Sequence, residues 1–216
     1  MSIDERVAHH FDLDAERFDA IYQQDAKSPF ARFIDDHWRG VVAKRLELAL
    51  AELSPLEGKT ILDVGCGSGR YCHAFAERGA PRVVGIDFAP AMIGIARRLA
   101  HEFGVGDRCE FHLGSFPDDA PEERFHASVA MGLFDYTEDP GSVLRAMRER
   151  TSAVMLMSFP KSREWRVPLR KLRFAINRCP LFLYGRRDVE GLLARVGITD
   201  ARWVDLGRDY VIIARP

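Results

Sequence analysis

From Lys59 onward, short apolar runs alternate with longer stretches in which apolar positions recur every three or four residues. The short runs predict β-strands near 60–64, 82–87, 108–113, 126–131 and 152–159. The stretches between them predict helices near 70–78, 90–103 and 140–150. Gly79 and Gly104 stand just past two of these helices, where a left-handed residue closes a helix. Pro90 and Pro140 stand just inside two starts, and Asp139 is a good N-cap for the second. Strand alternating with helix predicts a parallel sheet covered on both faces, with its ligand site beyond the carboxyl ends of the strands. The end of the chain departs from this. A helix near 186–196 stops at Gly197, and two further strands, Ile198 to Leu206 and Asp209 to Ala214, are joined by Gly207-Arg208 alone. Two residues suffice only for an antiparallel hairpin.

Residues 1–57 contain no strand-like run. Phe11, Phe18, Ile21 and Tyr22 share one face if Asp14 to Gln24 is helical. Ser28-Pro29 reads as an N-cap followed by a first-turn proline; a long helix then runs toward Leu53 and ends at Ser54-Pro55. This region is acidic, with twelve Asp/Glu against seven Lys/Arg. It is expected to form a helical cap outside the sheet, leaving 58–216 as the main domain.

The most informative stretch is Ile61-Leu62-Asp63-Val64-Gly65-Cys66-Gly67-Ser68-Gly69-Arg70-Tyr71. A strand runs through an acid into three glycines at alternate positions, then into a helix. Such a turn lets backbone approach a ligand closely, and N–H groups gather there. Dinucleotide folds need G-x-G-x-x-G, but Arg70 occupies the third glycine's place. Asp63 would also repel a pyrophosphate, whereas it would attract a sulfonium and an ammonium. The stretch resembles motif I of the class I S-adenosylmethionine-dependent methyltransferases. The next strand, Arg82-Val83-Val84-Gly85-Ile86-Asp87-Phe88, ends in an acid twenty residues past the turn, the spacing at which a carboxylate reaches a ribose diol.

The resemblance implies an α/β, Rossmann-like fold: a seven-stranded, mostly parallel sheet with helices on both faces and the last strand inserted beside the sixth. It implies S-adenosyl-L-methionine as cofactor and S-adenosyl-L-homocysteine as product; the lack of a carboxylate or histidine cluster near the fourth-strand loop implies no metal. The expected cofactor residues are Asp63, Gly65, Cys66, Gly67 and Gly69 in the turn, and Asp87, Phe88 and Met92 after the second strand. After the third strand, Ser115 stands where the family often has an acid for the adenine amino group; an uncharged hydroxyl binds more weakly, which gives Phe116 more weight. After the fourth, Ala130-Met131-Gly132-Leu133-Phe134-Asp135-Tyr136 resembles motif IV, placing Met131 and Gly132 beside the methyl and Tyr136 toward the acceptor.

Other acceptor candidates are Tyr22 and His37 in the cap and Arg166 and Arg170 in a basic insertion, residues 161–184. Residues 161–187 hold nine Lys/Arg and one acid. A solvated helix face, a clamp for an anionic acceptor and a surface resting on lipid are all consistent with that charge. The fourth strand lacks Asn-Pro-Pro-Tyr and a following Pro-Cys pair, the marks of many amine and DNA-cytosine methylases; the histidines show no metal-ligand spacing. The net charge of −1 exerts no overall pull on nucleic acid or membrane. Neither a signal peptide nor a spanning segment is legible, and Cys66, Cys72, Cys109 and Cys179 are scattered, as expected of reduced thiols in a cytoplasmic protein. The expected function is methyl transfer to a small, anionic or lipophilic acceptor, on oxygen or carbon, with no nucleic-acid partner and at most peripheral membrane contact. The alternatives are a cofactor-binding module without catalysis and an NAD-linked oxidoreductase.

Overall fold

The computed structural model describes Val7, residues 29–163, Val167 and residues 180–216; for 29–39 it describes the backbone alone. Of the candidate acceptor residues, Tyr22, Arg166 and Arg170 lie outside the described residues, as does Cys179. His37 lies in a helix whose side chain there is not described.

Seven strands form one sheet in the order β3-β2-β1-β4-β5-β7-β6. They are β1 (Thr60–Val64), β2 (Arg82–Asp87), β3 (Cys109–Leu113), β4 (Phe125–Ala130), β5 (Thr151–Pro160), β6 (Asp200–Asp205) and β7 (Asp209–Arg215). The first five pair in parallel, while β7 runs antiparallel to both β5 and β6. The hairpin expected at Gly207-Arg208 is therefore present, and its second strand is inserted between β5 and β6. Gly207 takes a φ of 82°, which a tight reversal requires of it.

Five helices accompany the sheet among the described residues: α1 (Pro29–Leu53), α2 (Arg70–Glu77), α3 (Pro90–Glu102), α4 (Pro140–Glu149) and α5 (Arg186–Arg195). Asp139 caps α4 as its position predicts, accepting from the amides of Gly141 and Ser142 at 3.1 Å each.

Alternation along the strands sorts the core onto two faces. Leu62 and Val64 of β1 join Met155, Met157 and Phe159 of β5 under α4 and α5. Ile61 and Leu156 face the other way, under α2 and α3. Ala49, Leu50 and Leu53 of α1 belong to this second cluster. The C-terminal turns of α1 thus pack directly on the sheet layer, because their apolar positions fall on one stripe. That burial also fixes how far up the sheet the rest of α1 reaches.

Candidate functional site

The glycine turn leaves β1 and enters α2 at the carboxyl edge of the sheet. The amides of Gly65 and Cys66 both donate to the Ile86 carbonyl, at 2.9 and 3.0 Å, tying the turn to β2. Gly65, Gly67 and Gly69 all have positive φ, but they lack side chains for different reasons. A Cβ on Gly65 would lie 2.8 Å from Leu133, and one on Gly69 would lie 2.8 Å from the His73 ring. A Cβ on Gly67 would meet nothing within 4 Å. Gly65 and Gly69 are therefore needed for packing, and Gly67 alone faces open space where a ligand's backbone contacts could form.

The Asp87 carboxylate holds that geometry. One oxygen accepts from the Gly67 amide and the other from the Ala89 amide, both at 2.9 Å. The carboxylate is thus oriented by two backbone donors before any ligand arrives.

Asp63 lies across the turn, 1% exposed. The Cys72 thiol donates to it at 3.4 Å. Burial pushes its carboxyl up to about 7, against the help of that thiol, and the nearby Asp87 charge adds to the rise. Burial likewise pushes the Cys66 thiol up to about 11, so it is inert at neutral pH.

Phe88 and the buried Met92 pack together with Ala89 at the start of α3. Phe88 also meets Tyr136 and Leu181 around Val7 from the N-terminal region. This apolar group joins an expected cofactor residue to an expected acceptor residue. Ser115 sits after β3, its amide donating to Asp119 at 2.8 Å. Phe116 packs on the α4 and α5 side, with the Arg150 guanidinium 5.3 Å from its ring centre. Met131 packs on the opposite face. Gly132, with φ at 92°, donates its amide to the buried Ser158 hydroxyl at 2.8 Å.

A Cβ at Gly132 would lie 3.2 Å from the Arg45 guanidinium, a tight contact that places this arginine beside the loop after β4. Arg45 and Asp209 form an ion pair with both residues inside the protein, 6% and 0% exposed. Burial works against the guanidinium charge, but Asp209 and then Asp135 outweigh it and hold its pKa above the usual arginine value. Among the described residues, the Nε of Arg45, the hydroxyl of Tyr71 and one oxygen of Asp209 are buried without hydrogen-bond partners. Burial keeps the Tyr71 hydroxyl protonated throughout the physiological range. Unfilled polar atoms gathered beside an open glycine turn are what a zwitterionic ligand would satisfy. None of Arg45, Tyr71 or Asp209 is apparent as a site residue from motif spacing. One signal existed: Arg45 lies four residues before Ala49 and eight before Leu53, a charge on the apolar stripe of α1.

Residues 61–153 match a family model described as a methyltransferase domain. Residues 61–153 thus match the methyltransferase domain family, and the chain as a whole shares the fold of solved methyltransferases. It is 30% identical over 188 residues to a tRNA U34 carboxymethyltransferase of Alcanivorax borkumensis, covering 83% of this chain and 57% of that protein. It is 36% identical over 104 residues to a ubiquinone biosynthesis O-methyltransferase of Xanthomonas axonopodis, covering 47% of this chain and 42% of that protein. The chain thus spans about half the length of the curated relatives it matches. Among solved structures, the magnesium protoporphyrin IX methyltransferase of Synechocystis with bound S-adenosylmethionine superimposes with a TM-score of 0.77. That match covers 100% of this chain and 97% of the other at 17% identity, a likeness of fold.

Proposed function

We propose that this chain binds S-adenosylmethionine at the glycine turn and transfers its methyl group to a small-molecule acceptor. The observation that carries the reading is the open space at Gly67 beside a pre-oriented Asp87 carboxylate, with Arg45 and Tyr71 left unfilled nearby. Asp87 suits the two ribose hydroxyls, since it ends β2 beside the glycine turn, where a carboxylate reaches a ribose diol. Arg45 and Tyr71 are donors suited to the carboxylate of the cofactor's amino-acid end. Asp63 supplies the negative charge that the ammonium and sulfonium require. When bound, the cofactor supplies an electrophilic methyl. The chain's own contribution is alignment and exclusion of water, so no general base is assigned.

For the acceptor, Phe88, Tyr136 and Leu181 pack on the buried Val7, which gathers apolar side chains beside an expected cofactor residue. This favours a small lipophilic molecule over a polyanion, and oxygen or carbon as the methylated atom. Among the described residues there is no group of His, Cys, Asp or Glu able to hold a metal, and no helix long and apolar enough to cross a membrane. Calorimetry on the full chain tests the reading: S-adenosylhomocysteine binds and NAD does not. Failure of S-adenosylhomocysteine to bind would sink it.

A pH dependence follows from Asp63. Its folded pKa lies above its ordinary value of 3.8, at about 7, so below that pH the protein holds the proton. A cationic ligand favours the carboxylate, so binding below pH 7 requires the proton to leave. Cofactor affinity should rise with pH up to about 7 and level off above it. The same shift makes the ligand-free protein lose stability as pH rises from 3.8 to about 7, because the unfolded chain gives up this proton first. Asp63→Asn should flatten both profiles and weaken cofactor binding at pH 8. Equal affinity of the two proteins at pH 8 would count against a role for the charge.

A further inference from the structure

A cavity of about 540 Å³ lies where the chain leaves β5. Beyond Pro160 the strand direction continues: the Ser162 amide donates to the Tyr184 carbonyl at 2.9 Å, and the Tyr184 amide to the Pro160 carbonyl at 2.8 Å. These contacts bring Ser162, Arg163, Tyr184, Arg186, Arg187 and Tyr210 around one space at the carboxyl edge of the sheet.

The charge there has the wrong sign for the local backbone. Arg186 and Arg187 occupy the first turn of α5, where the helix dipole is positive and a cation is unfavourable. Arg163 adds a third positive charge from the β5 side. The nearby acids offset this only in part. Asp188 lines the cavity too, and its carboxylate accepts from the Gly185 amide at 2.7 Å as a helix cap. Glu190 pairs with Arg186 at 2.9 Å, and the Arg186 guanidinium also stacks on Trp203. Lys161, just outside, is paired with Asp205 and covers the Tyr210 ring. Arg163 and Arg187 have exposed side chains and no ion-pair partner among the described residues. Two uncommitted guanidiniums and a helix start thus point into one cavity with tyrosine walls. Arg187 goes against the helix dipole with no ion-pair partner among the described residues, and local rules are most often broken at functional positions.

The cavity connects to the methyl-transfer region through aromatic packing. Tyr184 meets Phe159 edge-on at 5.3 Å, and Phe159 stacks on Phe134 at 4.4 Å. Phe134 lies in the loop after β4, two residues past Gly132. The Phe182 amide donates to the Asp135 carbonyl of the same loop at 2.9 Å. The cavity wall and the loop that carries Gly132 are thus tied together through packed core side chains at the same carboxyl edge of the sheet.

Resting on the function proposed above, we infer that the cavity receives an oxyanion carried by the methyl acceptor, a carboxylate or phosphate on an aromatic or apolar body. Arg163 and Arg187 bind the anion, and Tyr184 and Tyr210 flank the group that carries it. The acceptor is thus held by its charged end while the uncharged end meets the methyl. Guanidinium suits this task because its planar fork matches an oxyanion bidentately.

The test uses the full chain saturated with S-adenosylhomocysteine. Benzoate, phenyl phosphate, inorganic phosphate and neutral benzyl alcohol are titrated separately, following the tyrosine resonances by NMR. At least one of the two aromatic anions should bind, and bind at least about tenfold more tightly than benzyl alcohol. Arg163→Gln with Arg187→Gln should remove about tenfold or more of that affinity, while S-adenosylhomocysteine affinity holds within about twofold. Both arginines are exposed, so the variant should fold; Arg187→Gln alone, with a smaller loss, provides a second measurement. No binding of either aromatic anion, or equal binding by the wild type and the double variant, overturns the inference. Inorganic phosphate binding as tightly as phenyl phosphate would indicate a free-anion site and overturn its assignment to the acceptor. If S-adenosylhomocysteine itself fails to bind, the function proposed above is what has failed.

Discussion

Replacing Asp209 by alanine is expected to lower folding stability by about 3–5 kcal/mol, the usual cost of leaving one member of a buried ion pair without its partner. Asp209 is fully buried at the start of β7, and Arg45 beside it is nearly so. Without Asp209, the guanidinium remains over Gly132 with Asp135 as its remaining nearby acid. Chemical denaturation of the wild type and the variant measures the loss. A double change, Arg45→Met with Asp209→Leu, should recover most of the stability, because an apolar pair of similar volume avoids the desolvation of both charges. Cofactor binding should not recover with it. If Arg45 holds the cofactor's carboxylate, the double variant binds S-adenosylhomocysteine at least about tenfold more weakly, while methylthioadenosine, which lacks the amino-acid end, loses little. An equal loss for both ligands would mean that Arg45 serves the fold alone.

The second large effect is expected at Asp87. Its alanine variant loses charge-assisted hydrogen bonds to the ribose, each worth roughly 1.5–3 kcal/mol. It also frees the Gly67 and Ala89 amides that the carboxylate now holds at 2.9 Å. Affinity for S-adenosylhomocysteine should fall by about tenfold or more, measured by calorimetry. Asp87→Asn should do almost as badly, since an amide nitrogen cannot accept from a backbone N–H and one of the two ties is lost. Unchanged affinity in the alanine variant would remove Asp87 from the site.

Much of this site is legible along the chain because its parts are local. A glycine needed at positive φ leaves its mark at its own position, and so does an acid at a strand end. That is why Asp63, Gly65, Gly67, Gly69 and Asp87 can be picked out without a structure. The alternation of Ile61, Leu62 and Val64 likewise determines which side of β1 faces each helix layer. The turn at Gly207-Arg208 determines that the sheet ends in an antiparallel hairpin.

Pairings between distant positions are different, because nothing local records them. Arg45 and Asp209 are separated by 164 residues and meet only because β7 inserts beside β5 while α1 packs on the face of the sheet that Asp209 shares with Ile213. The same holds for the reasons behind each glycine. The sequence requires a missing side chain at Gly65, Gly67 and Gly69 alike, but only the packing of Leu133 and His73 shows that Gly67 alone faces open space. Asp63 reads in the sequence as a free negative charge. In the fold it is a buried group, poised near neutrality, because desolvation depends on neighbours contributed by β2 and α2. The sequence by itself determined the order of elements, the turn and the acids at its edge. The tertiary structure decided which charges are buried, what fills the space at each glycine, and where Arg163 and Arg187 come together.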